Sequence, residues 1–264
     1  MTFTADWLAL RADADRRARH AGLAGALAAA MDGREEIRSL DLGAGTGAGL
    51  RAISPLLPAR QRWVLADADA ALLARIETPP GISVEPRVAD LAVSPETLFD
   101  PAPDLVTTSA FLDLCGAAAA DRIVALTVSA GAAFHAALSY DGRQDWRPIH
   151  PLDEAVIAAF NADQRRNKGL GPALGPDAAA HVAAAFRRRG YAVRTAPSDW
   201  NLTAAHDAAL IDALAQGTAE AIAPVLGRRR ATEWQTARAD AEAVMIGHVD
   251  VLALPAAPVG AAQT

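Results

Sequence analysis

The sequence predicts an α/β fold of the doubly wound kind, a mostly parallel sheet with helices on both faces. Three observations predict it. Short apolar runs alternate with helical-period segments through the first 140 residues, as consecutive βαβ units do. The first apolar run opens directly into a glycine-rich turn, Gly43 to Gly49. The two runs that follow are each closed by an aspartate, Asp67 and Asp90. No internal repeat and no linker divides the chain, so one domain over residues 1–264 is expected.

Each element follows from its local pattern. Residues 4–31 read as one helix, because Trp7, Leu8, Arg11, Asp15, Arg19, Leu23 and Leu27 recur near helical spacing and Asp32-Gly33 ends the run. Ile37 to Leu42 is the first strand, and Leu50 to Leu57 the helix that the glycine turn opens. Arg62 to Ala66 is a strand, Ala70 to Ile76 a helix, and Ile82 to Val88 a strand. Asp104 to Thr107 and Phe134 to Ser139 are two more strands. Asp153 to Arg166 is helical, and Asn167 to Pro176, half glycine and proline, is a loop. The helix Asp177 to Arg189 carries arginines at its negative end and is capped by Gly190. The strand Tyr191 to Thr195 and the helix Thr203 to Ala223 follow. Thr232 to Gln235 fits a capping box for one more helix, and Val244 to Leu254 is the last strand.

Composition narrows the function classes. Hydrophobic residues make up 52% of the chain, enough for a packed core. The net charge of −6 argues against a partner bound through its phosphates, since charge neutralisation supplies most of that affinity. Cys115 is the lone cysteine, so no disulfide within the chain and no cysteine-based zinc site is expected. The apolar stretch Ala21 to Met31 is about half the length a bilayer needs, and the N-terminus is too charged for a signal peptide. A cytoplasmic protein with no membrane association is expected. No compact set of histidines and acids has ligand spacing, so no metal is expected.

The chemistry concentrates in Asp41-Leu42-Gly43-Ala44-Gly45-Thr46-Gly47. A glycine turn between strand and helix lets backbone approach a ligand closely. Asp67, twenty residues after Gly47, falls where a carboxylate could hold a ribose diol, and Asp90 ends the next strand. Gly43, Gly45 and Ala48 also fit a nicotinamide-dinucleotide fingerprint. Asp41 tips the balance, because an acid beside the loop repels a pyrophosphate and tolerates a cation.

At this point the sequence resembles the class I S-adenosylmethionine-dependent methyltransferases. Leu40 to Gly47 looks like their first motif and Leu65 to Leu73 their second, with Asp67 in the ribose-binding place. Arg87 to Leu91 is similar to their adenine-contacting segment, and Asp104 to Asp113 resembles the fourth-strand motif lining the methyl-transfer centre. The resemblance implies a Rossmann-like, seven-stranded sheet with one antiparallel strand, and S-adenosylmethionine as cofactor. It implies cofactor contacts from Asp41, Gly43, Gly45, Gly47, Asp67, Ala68, Asp90, Leu91 and Ser109. The chain then divides into an N-terminal helical cap (1–33), a cofactor-binding core (34–140), and acceptor-side helices with the last two strands (141–264). The Pro-Pro-aromatic signature of amino-methylases is absent from the fourth strand, which argues against methylation of a base.

Candidates to contact the acceptor or move a proton follow the fourth and fifth strands: Asp113, Tyr140 and His150, with Asp141 and Arg143 beside them. The same run, Ser139 to His150, also reads as a solvated loop with Trp146 packed on the core. Arg11, Arg16 or Arg19 could reach a cofactor carboxylate, or form a solvated face. Asn161, Gln164, Arg165 and Lys168 precede the Gly/Pro loop and could form a lid, or an ordinary helix end. The arginine triplets 187–189 and 228–230 invite an RNA reading, but each has a helix-end or turn explanation. The expected partner is a small-molecule acceptor, with homo-oligomerisation left open. Two competing readings are an NAD-dependent oxidoreductase and a non-catalytic partner subunit that uses residues 200–243 as its interface.

Overall fold

Strands buried on both faces must be apolar almost throughout, and the first strand of this chain is. In β1 (Ile37–Leu42) every residue but Arg38 is buried. The computed structural model of the chain describes residues 4–58 and 60–256. Around β1 lie β2 (Gln61–Asp67), β3 (Ser83–Val88), β4 (Leu105–Ser109), β5 (Ala133–Arg147), β6 (Ala192–Pro197) and β8 (Ala243–Leu254). Their order is β3-β2-β1-β4-β5-β8-β6. β1 to β5 run parallel, and β8 runs antiparallel to both of its neighbours. A short strand not foreseen in the sequence, β7 (Trp200–Thr203), pairs with the start of β8. The strand order reverses between β1 and β4, which opens a crevice at their carboxyl ends.

One face of the sheet is covered by α5 (Ala117–Ser129) and α7 (Ala178–Arg188), whose Val124, Val182 and Phe186 pack with Phe134. The alanine run 117–120 thus opens a helix that the sequence reading passed over. The other face carries α2 (Ala21–Met31) and α3 (Ala48–Ile53), with Leu27, Leu50 and Trp63 at the centre. A third apolar cluster joins the extended end of β5 to α6 (Asp153–Gln164), α8 (Ala204–Leu226) and α9 (Arg228–Ala237).

Several expectations are corrected. Residues 4–31 form two helices, α1 (Ala5–Ala18) and α2, because Arg19 is extended at φ −53°, ψ 134°, and the His20 ring accepts from the Leu23 N–H to start a new helix. The fifth strand runs on to Arg147, since after a bulge at 137–138 residues 139–147 pair with β8 across a second register shift between Tyr140 and Gln144. The stretch after Ser139 is therefore sheet rather than loop. The helix after β2, α4 (Ala70–Leu73), is a single turn. Thr232 lies inside α9, whose first residues are Arg228, Arg229 and Arg230. Those three arginines sit at the positive end of a helix, so the dipole explanation holds only for the arginines ending α7. α8 is long and apolar enough, by length and composition, to cross a membrane. Its Leu210, Ile211, Ala215 and Ile222 are buried in the third cluster.

Candidate functional site

The carboxyl end of β1 is built from bare backbone and a buried acid. Gly43, Gly45 and Gly47 have φ of +66°, +53° and +82°, a region that side chains with a Cβ rarely enter. A Cβ on Gly43 would also lie 2.5 Å from the Phe111 ring. The loop folds back on Asp67, whose Oδ2 accepts from the Gly45 N–H (2.8 Å) while Oδ1 accepts from the Asp69 N–H (2.9 Å). Each of these oxygens keeps a second lone pair.

Asp41 is buried. Its Oδ1 accepts from the Thr107 hydroxyl at 2.8 Å, and its Oδ2 has no partner among the described residues. Burial pushes the carboxyl up to about 6, against the pull of the Thr107 hydrogen bond and the Arg19 charge, and the Asp67 charge adds to the rise. Gly49 makes room for it, since a Cβ there would lie 2.6 Å from Asp41 Oδ2.

These groups face a cavity of about 460 Å³. Its floor is Asp41, the loop 43–46, Asp67 and Leu72, and its far wall is Ser109, Ala110, Phe111 and Leu114. The roof is α1, through Leu8, Arg11, Ala12, Asp15 and Arg16, with Arg19 just past its end. α1 is held from outside the core. The Arg11 guanidinium pairs with Asp15 (3.0 Å) and stacks on Trp200 (4.9 Å to the ring centre), and the Trp200 indole N–H donates to the same carboxylate (3.1 Å). Arg19 differs from Arg11 and Arg16, which have carboxylate partners. Its Nη2 donates to the Ser109 hydroxyl (2.7 Å). Desolvation draws its pKa down while the charges of Asp15, Asp250 and Asp41 hold it up.

Of the residues singled out in the sequence, Asp41, Gly43, Gly45, Asp67 and Ser109 line this cavity. Gly47 sits just behind it as the residue before α3. Ala68 and Asp90 are exposed, and Leu91 is packed in the core. Asp90 accepts from the Ala92 N–H at 2.9 Å, closing a local turn. The three acceptor-side candidates also lie off the cavity wall. Asp113 is buried behind the turn that follows β4, with Oδ1 unpartnered, and burial pushes it up to about 6. The Tyr140 hydroxyl donates to Asn161 Oδ1 (2.8 Å) and accepts from Gln144 Nε2 (2.9 Å). Burial raises it to about 12, which suits an architectural hydrogen bond better than a base. His150 Nδ1 accepts from the Leu152 N–H (3.2 Å), beside a separate shallow recess next to α6. No group of three or more His, Cys, Asp or Glu among the described residues could hold a metal ion.

Thr107 and Phe111 fall inside the fourth-strand motif and Gly49 inside the glycine-rich turn, but the sequence gives none of them, nor Leu8, a role of its own. Gly49 has a signal as the last glycine of that run, which the structure places inside the first turn of α3. The other three are brought in by pairing and packing across the chain.

No protein-family model matches the sequence, and no curated protein matches it. Solved structures do. A structure assigned as a type II methyltransferase from Anaeromyxobacter dehalogenans is 16% identical, covering 90% of this chain and 98% of that one at a TM-score of 0.50. The chain has the class I methyltransferase fold. Other structures with this fold include an S-adenosylmethionine-dependent methyltransferase from Thiobacillus denitrificans in complex with S-adenosyl-L-homocysteine. It is 16% identical and covers 96% of this chain and 99% of that one, with a TM-score of 0.47. Mycobacterial cyclopropane synthases are also among the structural neighbours, at low identity. The sheet order β3-β2-β1-β4-β5-β8-β6, with β8 antiparallel, is the order of this fold.

Proposed function

We propose that the chain is an S-adenosylmethionine-dependent methyltransferase acting on a small-molecule acceptor. One observation carries this reading. The cavity is lined both by Asp41, whose Oδ2 has no partner among the described residues, and by Arg19, and the charge of each acts on the other. A carboxylate and a guanidinium together complement the ammonium and carboxylate of an amino acid. On the same floor, Asp67 keeps acceptor capacity for a diol above the glycine loop. A ligand that is both amino acid and nucleoside fits this set, whereas a dinucleotide pyrophosphate would meet the buried Asp41 carboxylate.

When bound, the cofactor supplies an electrophilic methyl group on a sulfonium sulfur. Asp41 would hold its ammonium, Arg19 its carboxylate and Asp67 its ribose. α1 covers the cavity, whose wall also includes Ala110 and Phe111. Most of the rate then comes from alignment. Asp113, Tyr140 and His150 do not line the cavity, so no proton transfer is assigned to them.

The test is a methyl-transfer screen with labelled cofactor against a metabolite extract of the host, with products identified by mass. A labelled small molecule that disappears with Asp41→Asn supports the reading. Label found only in protein or nucleic acid, or none at all, contradicts it.

A further inference from the structure

Asp250 lies in the middle of β8 and has no exposed surface. The sheet register shows why a carboxylate stands there. β8 pairs Val251 with Ala136 and Val249 with Ser139, so Asp250 alone faces the two bulged residues Ala137 and Leu138. Leu138 adopts φ +59°, and its N–H cannot join the strand ladder. Asp250 Oδ1 accepts that N–H at 2.8 Å. The other oxygen, Oδ2, accepts from the His20 N–H at 2.9 Å. His20 starts α2 at the break from α1, where a helix leaves its first N–H groups unpaired. One buried carboxylate thus satisfies two backbone donors that regular structure leaves open.

Both bonds lead to the same contact. Behind His20 stands Arg19, whose guanidinium donates to the Ser109 hydroxyl (2.7 Å). Behind Leu138 stands Ala137, whose carbonyl accepts from the N–H of Ala110 (2.9 Å), the residue after Ser109. The four hydrogen bonds close a ring: Asp250 to His20 and Arg19, Arg19 to Ser109 and Ala110, Ala110 to Ala137 and Leu138, and Leu138 back to Asp250. Ala110 and Leu138, the two non-glycine residues with positive φ in the described chain (+50° and +59°), both belong to it. Such backbone persists where its surroundings over-determine it, and it clusters at ligand sites.

We infer that Asp250 is a positioning residue: by closing this ring from behind, it fixes the Arg19 guanidinium against Ser109 at the cavity. This rests on the reading of the cavity as an amino-acid nucleoside site. Asp250 does not line the cavity and touches no ligand there. It acts by denying the α1–α2 break and the β5 bulge any independent movement.

The test is a double-mutant cycle read by calorimetry with S-adenosylhomocysteine, with each variant's melting curve recorded. Asp250→Asn keeps the shape but replaces one acceptor with a donor, so one of the two N–H groups loses its partner. Arg19→Lys keeps the charge and loses the planar fork. Each single change is expected to weaken binding by roughly tenfold, and the double variant by no more than the worse single. Losses that multiply overturn the inference, because general loosening of the fold adds to the Arg19 defect independently. Wild-type affinity in Asp250→Asn overturns it too. If that variant does not fold, His20→Pro replaces it. It removes the helix-side N–H at a φ of −77° that proline accepts together with the ring that caps Leu23, so His20→Ala, which loses the ring alone, is its control; a loss beyond that control's, non-additive with Arg19→Lys, is expected. A wild type that does not bind S-adenosylhomocysteine overturns the cavity reading and this inference with it. A binding wild type with an indifferent Asp250→Asn overturns this inference alone.

Discussion

The carboxyl edge of β1, β2 and β4 and the annex built on the far end of β5 handle buried charge in opposite ways. At the first, Asp41 keeps an oxygen with no partner, and Arg19 has a hydroxyl where a carboxylate would neutralise it. In the annex, Arg238 packs beside the touching rings of Trp146 and Trp234 (5.5 and 5.2 Å to their centres), donates to the Pro148 carbonyl (2.8 Å) and has its charge matched by Asp153 (2.7 Å), with only Nε left without a partner among the described residues. The Trp234 indole N–H reaches the same Asp153 oxygen at 2.7 Å. A charge matched by its own protein is architecture. A charge left partly unmatched beside a cavity costs stability, and that cost is recovered when a ligand binds.

The widest separation between the two regions is expected from Trp234→Ala. It removes a fully buried ring and should cost about 3–5 kcal/mol of stability. Denaturant unfolding measures the loss, and the affinity of the folded fraction for S-adenosylhomocysteine should not change. Asp41→Asn should do the reverse. Binding should weaken by about 2–5 kcal/mol, read by calorimetry, while the fold gains up to about 3 kcal/mol at neutral pH. The folded carboxyl titrates near 6 and the unfolded one near 3.8. Between those values the folded state holds more protons, so the wild type loses stability as pH rises through that window. The gain of the variant should be complete above pH 6 and absent below about pH 4, which melts across pH would show.

Gly49→Ala brings the two effects together. Its Cβ would push on Asp41 Oδ2, costing about 1–3 kcal/mol and weakening ligand binding. A stability loss without a binding loss would separate Asp41 from the ligand. Tyr140→Phe is expected to be the mildest change. It strands Asn161 and Gln144, costs about 0.5–1.5 kcal/mol, and leaves both nucleoside affinity and turnover in place. A collapse of turnover at constant stability would return Tyr140 to the chemistry.

The same comparison explains what the sequence disclosed. Asp41, the glycines and Asp67 fall within 27 residues, and their geometry follows from one strand, one turn and the next strand, so their spacing is readable. Tyr140 and Trp146 depend on β8, about a hundred residues away, which converts an apparent loop into a bulged strand. Asp250, His20 and Ser109 meet only after the sheet closes, and no local pattern joins them. The break at Arg19 was hidden for a related reason. A helical-period pattern continues across it, while the N–H at the interruption is bonded by Asp250 from another strand. Position along the chain points to Asp90 and His150, whereas the structure shows each accepting a backbone N–H two residues on in a local turn.

The central claim is that an unmatched acid and a guanidinium make the cavity a reader of a nucleoside bearing an amino acid. Calorimetric titration of the wild type with S-adenosylhomocysteine and, separately, with NAD tests it most directly. Heat of binding with the first and none with the second is the expected result. Binding of NAD alone, or of neither, would contradict the account.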